Sequence, residues 1–296
     1  MALSIHTNYS ALTTNTALNK SNNALATNQQ RLGTGLRINS AADDAAGLQI
    51  ATRLNAQSRG MGVAMRNTSD AISMLQTAEG AFSEMTDIMQ RMKDLATQGA
   101  NGTNTADDKA ALQAEYDELA KEIRNVLKNT KYAGEELFSV KKADSKFDAA
   151  IAFQIGASAS ETLTIDLSAA GNGALHTAVD EIVKIADTLI IDADPAATVK
   201  GTQVGAAATI TLVENALDKV GSLRAQFGAN INRLNHTSNN LANMKDNTEM
   251  AKGRIMDADF AMESANMSKN SMLMQSGISM LKQAGQMPGM VMSLLG

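Results

Sequence analysis

Cysteine and tryptophan are both absent from this 296-residue chain, which also has only two prolines, three tyrosines and six phenylalanines. Without cysteine, neither a disulfide framework nor a thiolate metal site can form. So few aromatic rings disfavour a surface on which nucleic-acid bases stack. Because proline is scarce, most of the chain meets no helix breaker. The chain is nevertheless 44% hydrophobic and contains eighteen methionines, which supply apolar surface for burial.

Charged residues are also few, at 19% with a net charge of −5. This balance indicates neither a nucleic-acid-binding protein nor an acidic tail. No uninterrupted apolar run reaches the length that a membrane-spanning helix needs. Residues 1–30 lack the basic and apolar regions of a signal peptide. We therefore predict no nucleic-acid partner and no membrane span.

The low charge is concentrated at the two ends of the chain. The first acidic residue is Asp43, and residues 264–296 carry only Lys269 and Lys282. Near the N-terminus, leucine recurs every seven residues, with polar residues at the intervening positions of the seam. The leucines are Leu18, Leu25 and Leu32, and the polar residues are Ser21, Asn22, Asn28 and Gln29. Two interpretations remain open: frayed termini, or helices that order only against a partner surface.

Apolar residues recur at steps of three and four over most of the remaining chain, which is typical of amphipathic helices. One such stripe consists of Ile72, Leu75, Ala78, Phe82, Met85, Met89, Met92 and Leu95. We predict helices over residues 43–99, with a capping box at Ser40 and Asp43 and a bend or break at Gly60 and Gly62. Further helices are predicted over 105–129, 176–191, 208–250 and 255–285, and the first of these has a capping box at Thr105 and Asp108. A turn is predicted at 132–134 and a hairpin from 151–155 and 162–167. The predicted fold is mainly α: an elongated antiparallel helical rod with a small β region, whose terminal helices pair as a coiled coil.

Motifs of enzymes and metal sites are missing from the sequence. Each histidine precedes a threonine, which excludes an HExxH zinc helix, and no P-loop, GxSxG or GxGxxG motif occurs. The adjacent acids Asp43-Asp44 and Asp107-Asp108 fit the first turns of helices better than an acid–base pair. The methionine-rich C-terminal region could bind a soft metal, but adaptable packing is the favoured interpretation. We predict no enzyme, no cofactor and no metal site.

Several segments together resemble the bacterial flagellins. The strongest is RLGTGLRINSAADDAAGLQIATRL at residues 31–54, preceded by Ile5-His6-Thr7-Asn8. Others are MQRMKDLATQGANGT at 89–103, NTKYAGEELF at 129–138, FQIGASASETLTIDL at 153–167, GRIMDADFAMESANMSK at 253–269 and the final VMSLLG. Only residues 170–205 have no matching segment. The chain departs from the usual pattern at Gly33-Thr34, where Ser-Ser is common, and at Tyr132-Ala133-Gly134, where Phe-Asn-Gly is commoner.

The resemblance implies a subunit of the extracellular flagellar filament, used in swimming or swarming and secreted through flagellar type III export. It assigns residues 1–43 and 255–296 to an inner coiled-coil core and residues 44–254 to an outer helical rod. The short variable insert, about 170–205, leaves no room for large outer domains. Together with the apolar spacing of the two ends, the resemblance predicts that copies polymerise through Leu18, Leu25, Leu32, Leu36, Leu273, Ile278, Leu281, Val291, Leu294 and Leu295.

The resemblance also implies several protein partners. They are identical subunits, hook-associated and cap proteins, an export chaperone that holds the C-terminal arm, and a host Toll-like receptor. Arg91 and Leu95 match the principal receptor contacts of the family, and Glu115 matches a second contact region. Without the resemblance, Leu95 reads as core and Arg91 as a solvated side chain.

Three alternatives to a filament subunit remain at this stage. A hook–filament junction protein would share the terminal helices but would not polymerise by itself. A coiled-coil scaffold would have termini that are stably helical in the monomer. A flagellin with an enzymatic middle region is disfavoured by the missing motifs and the short insert.

Overall fold

The structure is a computed structural model that describes residues 8–138, 146–148, 150–165, 182 and 204–295. Its helices are α1 (Tyr9–Thr34), α2 (Ala45–Gly99), α3 (Ala106–Asn129), α4 (Ala207–Met256) and α5 (Phe260–Leu295). Its strands are β1 (Lys131–Tyr132), β2 (Glu135–Glu136), β3 (Ile151–Gln154) and β4 (Thr162–Ile165), and a 3-10 turn covers Lys146–Asp148. The predicted mainly α fold with a small β region is confirmed.

The chain divides into two compact units. Unit 1 comprises Met1–Ser58 and Asp246–Gly296, and unit 2 comprises Arg59–Lys245. The division falls within the residues of α2 and α4, whereas the sequence predicted boundaries at residues 43 and 255, close to the ends of helices. The predicted inner and outer domains stay a prediction.

The start of α2 differs from the predicted capping box. The Asp43 carboxylate accepts hydrogen bonds from the backbone N–H groups of Asn39 and Ser40 and from the Ser40 hydroxyl, at 2.8–3.1 Å. These bonds lower the pKa of Asp43 and close a turn before the helix. The N-terminal cap is Asp44, whose Oδ1 accepts from the Gly47 N–H at 2.8 Å. The prediction of a Ser40–Asp43 cap is therefore wrong, because the neighbouring acid performs that role.

Other predicted helix limits also change. At α3 the capping box of Thr105 and Asp108 is confirmed. Of the bend or break predicted at Gly60 and Gly62, a break is wrong, since α2 is one helix from residue 45 to 99. The last two helices meet at residues 257–259, later than predicted, and α5 continues beyond residue 285 to 295. The predicted short helix over 176–191 lies outside the described residues, apart from the buried Ile182.

In unit 2, α2 and α4 pack in antiparallel directions. Arg224 donates from Nε and Nη2 to Oε1 of Glu79, at 3.1 and 2.9 Å. Further along α2, the Lys93 ammonium lies 3.0 Å from the Glu214 carboxylate. As the residue number rises along α2, that of its partner falls along α4. The buried stripe of α2 belongs to the hydrophobic core of unit 2, and it is the stripe that the sequence predicted.

The strands β1 and β2 form a minimal hairpin whose turn consists of Ala133 and Gly134. Their φ angles are 52° and 87°, and Tyr132 pairs with Glu135 across the turn. Two consecutive positive φ angles match the twist of a two-residue hairpin. Glycine adopts this region freely, but alanine does so only with strain from its Cβ.

We expect Ala133→Asn to stabilise unit 2 by about 0.5–1 kcal/mol, because asparagine tolerates a positive φ better than alanine. Ala133→Val should have the opposite effect, since a β-branched residue is poorly accommodated at this angle. Urea unfolding of the full chain measures both changes. Equal stability of the three proteins would show that the turn carries no strain.

The second hairpin packs across α2. The strands β3 and β4 are antiparallel, with Phe153 opposite Leu163. Asn67 of α2 donates from Nδ2 to the backbone oxygen of Gln154 at 3.1 Å. A Cβ added to Gly60 would lie only 2.8 Å from the Cβ of Ala157 in the hairpin loop. The glycine is therefore needed for close approach of the loop to the helix, not for a bend.

This close approach predicts opposite effects for two neighbouring glycines. Gly60→Ala should destabilise unit 2 by about 1–2 kcal/mol, because the steric cost of moving the loop exceeds the gain in helix propensity. Gly62→Ala should stabilise it by about 0.5–1 kcal/mol, since a Cβ at Gly62 meets nothing within 4 Å. Thermal unfolding of the two variants provides the comparison. Two shifts of the same sign would contradict the proposed packing.

Candidate assembly surface

The two terminal helices of unit 1 form an antiparallel pair. Near one end, Asn8 donates from Nδ2 to the backbone oxygen of Ala284 at 2.7 Å. A Cβ added to Gly277 would lie 3.2 Å from Cδ1 of Leu18. Towards the other end, Nη1 of Arg31 lies 3.0 Å from Oε1 of Glu263. These contacts all belong to one register of the pair.

Seven-residue spacing on both helices produces the seam between α1 and α5. The more buried positions of each helix recur at steps of three and four. On α1 they include Leu18, Ser21, Leu25, Asn28 and Leu32, and on α5 they include Glu263, Met267, Asn270, Met274, Gly277, Leu281 and Ala284. Of the polar seam positions that the sequence indicated, Ser21 and Asn28 lie in the seam, and Asn22 and Gln29 are exposed.

The residues predicted to mediate polymerisation lie in several different places. Leu18, Leu25, Leu32 and Leu281 are half-buried in the α1–α5 seam, so they hold the subunit's own helices together. Leu273 and Ile278 lie on the two flanks of α5, 49% and 43% exposed. Leu36 is half-buried in the connection after α1, where it pairs with Asp257. Val291, Leu294 and Leu295 belong to α5, but their side chains lie outside the described structure.

Further exposed apolar side chains surround the helical pair. Met272 lies opposite the seam on α5 and is 70% exposed. Others that are more than half exposed on α1 and α5 are Tyr9, Leu12, Phe260, Met262 and Met280. The predicted set omitted all six, although the scarcity of charge at both ends was a signal for them. Exposed apolar side chains in such number mark a surface that another protein covers.

Backbone bonds join the connections at the base of the helical pair. The Arg37 N–H donates to the Met256 carbonyl at 2.6 Å, and the Ala258 N–H donates to the Gly35 carbonyl at 3.0 Å. Gly35 ends α1 with a φ of 71°, the left-handed conformation common after a helix C-terminus. These bonds satisfy backbone groups that the helix ends leave free, so α1 and α5 begin and end at a defined place.

The predicted receptor residues occupy different environments in unit 2. Arg91 and Glu115 meet on the surface, where Nε and Nη2 of Arg91 donate to one carboxylate oxygen at 2.9 and 2.6 Å. Both side chains remain about half exposed. Leu95 is fully buried in the α2 stripe. Of the three residues, only Arg91 and Glu115 are therefore exposed in this structure, and the predicted receptor contacts stay a prediction.

The described residues contain neither a membrane-spanning helix nor a metal-binding cluster. Among them, no helix combines the length and hydropathy needed to cross a membrane. No group of three or more histidines and carboxylates within that part of the chain could hold a metal ion.

Comparison with known proteins identifies what this arrangement is similar to. Residues 5–143 match the model of the bacterial flagellin N-terminal helical region, and residues 210–295 match that of the C-terminal helical region. Flagellin A of Vibrio anguillarum is 35% identical over an alignment of 378 positions, and flagellin C of Vibrio cholerae is 36% identical over one of 377 positions. Both alignments cover the whole of each chain.

A solved structure shares the fold at lower identity. It is a chain from Vibrio parahaemolyticus, provisionally assigned as a flagellar hook-associated protein. The TM-score is 0.56 and the identity 15%, over 73% of this chain and all of that one. At this identity the similarity concerns the fold and not the role.

Proposed function

This chain belongs to the bacterial flagellin family and is a structural subunit of the flagellar filament, and from that premise we propose that copies of it assemble through unit 1. The contacts are the apolar side chains that α1 and α5 expose around their seam. Residues 1–43 and 255–296 would then lie in the interior of the filament, and the rest of the chain would lie outside them. The alternative of a hook–filament junction protein is not favoured, because the full-length matches of 35–36% identity are flagellins.

The observation that carries this proposal is the exposure of Leu273, Ile278 and Met272 beside a seam that is already filled. Burial of apolar surface is the main driving force of protein association. The leucines of the seam supply less of it between copies, because part of their surface already packs within one subunit. An interface that is repeated head to tail without closing produces a helical filament. The remaining exposed residues of α5 therefore have the chemistry that polymerisation requires.

The proposal is tested by negative-stain electron microscopy of the full chain under salting-out conditions, which strengthen apolar burial. We expect long filaments from the unchanged chain. The double variant Leu273→Gln and Ile278→Gln should form none, while its circular dichroism and thermal unfolding remain those of the unchanged chain. Normal filaments from this variant would refute assembly through the flanks of α5.

A matched control separates chemistry from disturbance of the helix. The double variant Leu273→Met and Ile278→Leu keeps both side chains apolar and of similar volume, so it should still polymerise. Loss of filaments in both double variants would point to shape at these positions, not to apolar burial.

The same surface suits the partners that handle the subunit before assembly. We propose that an export chaperone covers the exposed face of α5, which keeps it from self-association before secretion. Hook-associated and cap proteins would contact the same unit at the ends of the filament. A chaperone bound to α5 should therefore block polymerisation, and the Leu273→Gln and Ile278→Gln variant should weaken both associations.

For the host Toll-like receptor, we propose a contact surface centred on Arg91 and Glu115. Arg91→Ala should lower the potency of receptor activation in a reporter-cell assay about tenfold, the size expected for an interface arginine. Leu95→Ala should act only through stability, since it removes a buried side chain at a cost of about 2–5 kcal/mol. If Leu95→Ala reduced receptor activation without destabilising unit 2, that result would support a direct contact between Leu95 and the receptor.

A further inference from the structure

The seam between α1 and α5 contains a buried polar cluster that the packing of apolar side chains does not explain. Its members are Asn28 and Arg31 on α1 and Glu263 and Asn270 on α5. Asn28 and Glu263 are each only 7% exposed. We propose that this cluster sets the register of the α1–α5 pair, and with it the alignment of the exposed side chains through which copies assemble. The second half of this inference rests on the proposed function, and the first half does not.

The apolar part of the seam leaves the register open. Leucine recurs on α1 at residues 18, 25 and 32, and α5 presents Met267, Met274 and Leu281 at the same interval of seven. A slide of one helix by seven residues therefore places apolar side chains opposite apolar side chains again. Two of the three on α5 are methionines, whose flexible side chains adapt to many neighbours. Packing alone thus allows several registers.

The polar cluster is satisfied in one register. One carboxylate oxygen of Glu263 accepts from Nη1 of Arg31 at 3.0 Å. The amide of Asn28, turned so that its nitrogen faces acceptors, donates to the other oxygen at 3.1 Å and accepts from Nδ2 of Asn270 at 3.1 Å. A slide of seven residues would bring Glu263 opposite Ala24 and Leu25 and leave a buried carboxylate without a donor. Burial of an unpaired charge is strongly unfavourable, so this shifted register is disfavoured.

The geometry of the cluster favours a role in specificity over one in stability. The Arg31 Nε is buried and has no hydrogen-bond partner among the described residues. Buried ion pairs with incomplete bonding contribute little to stability, and well-packed apolar residues often replace them without loss. Single buried polar residues in coiled coils are well suited to fixing register. The cluster accordingly selects one alignment of two helices that would otherwise pair in several.

The register matters for assembly because it positions two sets of exposed residues. A seven-residue slide moves α5 along α1 by about 10 Å, at 1.5 Å per residue. Leu12 on α1 and Met280 on α5, both 61% exposed, would then present a different combined surface. Subunits in a shifted register could not repeat the same contact with their neighbours, so they would not extend a filament.

The absence of native cysteine makes the register directly measurable by engineered disulfides. A Cβ on Gly277 would lie 3.9 Å from the Cβ of Leu18, within the range of about 3.5–4.5 Å that a disulfide needs. Leu18→Cys with Gly277→Cys therefore reports the observed register. Leu18→Cys with Ala284→Cys, and Ala11→Cys with Gly277→Cys, report slides of seven residues in opposite directions. Each pair is placed in the full chain and equilibrated in a thiol redox buffer, with ammonium sulfate below the concentration that causes polymerisation.

With the cluster intact, we expect the native cross-link to exceed either shifted one at least tenfold. In the background Asn28→Leu, Glu263→Leu and Asn270→Leu, the shifted cross-links should rise at least tenfold while helix content is retained. Ser21→Leu, which adds an apolar residue to the seam away from the cluster, is the matched control and should leave the native register dominant. If the triple background fails to fold, Asn28→Leu with Asn270→Leu keeps the ion pair and should give a smaller rise in the same direction.

The outcomes distinguish this inference from the proposed function. The register role is overturned if the folded cluster variants give native cross-links alone. It is also overturned if native and shifted cross-links are equal with the cluster intact. Both conclusions hold whether or not filaments form. Shifted cross-links together with normal filaments would keep the register role and overturn its link to assembly. Shifted cross-links with loss of filaments, while Ser21→Leu still polymerises, support both.

Discussion

Replacing Phe82 with alanine will lower the free energy of unfolding of unit 2 by about 3–5 kcal/mol. Phe82 is fully buried and belongs to a cycle of four phenyl rings, each of which packs against two others. Its ring lies 4.8 Å from that of Phe138, edge to face, and 5.7 Å from that of Phe227. Phe147 completes the cluster at 5.9 Å from each of these two partners. One side chain of α2 thus packs against α4 and the segment after β2, and the 3-10 turn packs against those two partners.

The control for this prediction is the same substitution at an exposed ring. Phe260 is 60% exposed in unit 1, so Phe260→Ala should change stability by less than about 0.5 kcal/mol. Urea unfolding of the full chain, followed by circular dichroism, measures both variants. A loss below about 1 kcal/mol for Phe82→Ala would mean that the other three rings close the cavity, which dense interiors rarely permit.

The sequence predicted the helices well because their signals are local. Apolar residues at steps of three and four identified the buried stripe of α2, and the capping box at Thr105 marked the start of α3. The same local logic failed at residues 40–44, where Asp43 and Asp44 are both plausible caps. Only the folded backbone shows that Asp43 closes a turn and that Asp44 caps the helix.

Leu95 shows how two lines of sequence reasoning can conflict. Its spacing placed it in the apolar stripe of α2, whereas the resemblance implied a direct receptor contact. The structure agrees with the spacing, since the side chain is fully buried. Helical periodicity reports burial directly, because it follows from which face of the helix meets the core. A resemblance implies that a residue matters for receptor recognition, but it does not show whether the side chain contacts the receptor directly.

What the sequence could not predict depends on contacts between distant segments. Four phenylalanines separated by up to 145 positions meet in one cluster, and no local pattern indicates this. The glycine at residue 60 looked like a bend because nothing in the neighbouring sequence shows that the hairpin loop approaches it. For the candidate surface, the spacing identified the seam leucines. It could not divide them from the exposed residues of α5, because that division depends on which face α1 covers.

The segment at Val204 and Gly205, which precedes α4 in unit 2, gives the second large effect. Gly205 has a φ of 98°, and a Cβ there would lie 2.4 Å from the carbonyl oxygen of Gly99 at the end of α2. A Cβ on Gly99 would in turn lie 3.1 Å from the carbonyl carbon of Val204. The two backbones therefore touch, and the Val204 N–H also donates to Oε1 of Gln113 at 2.7 Å. Neither glycine can acquire a side chain unless these backbones separate.

We expect Gly205→Ala to destabilise unit 2 by about 2–5 kcal/mol, because the strain of the positive φ adds to the clash with Gly99. Gly99→Ala should have an effect in the same direction without any change of φ, which isolates the steric part. Gly221→Ala is the matched control: a Cβ there meets nothing within 4 Å inside α4, so it should stabilise the unit by about 0.5–1 kcal/mol. Thermal unfolding of the three variants measures the difference. Backbone contact cannot relax as a flexible side chain does. A Gly205→Ala variant as stable as the unchanged chain would therefore show that the segment at Val204 and Gly205 does not pack against α2.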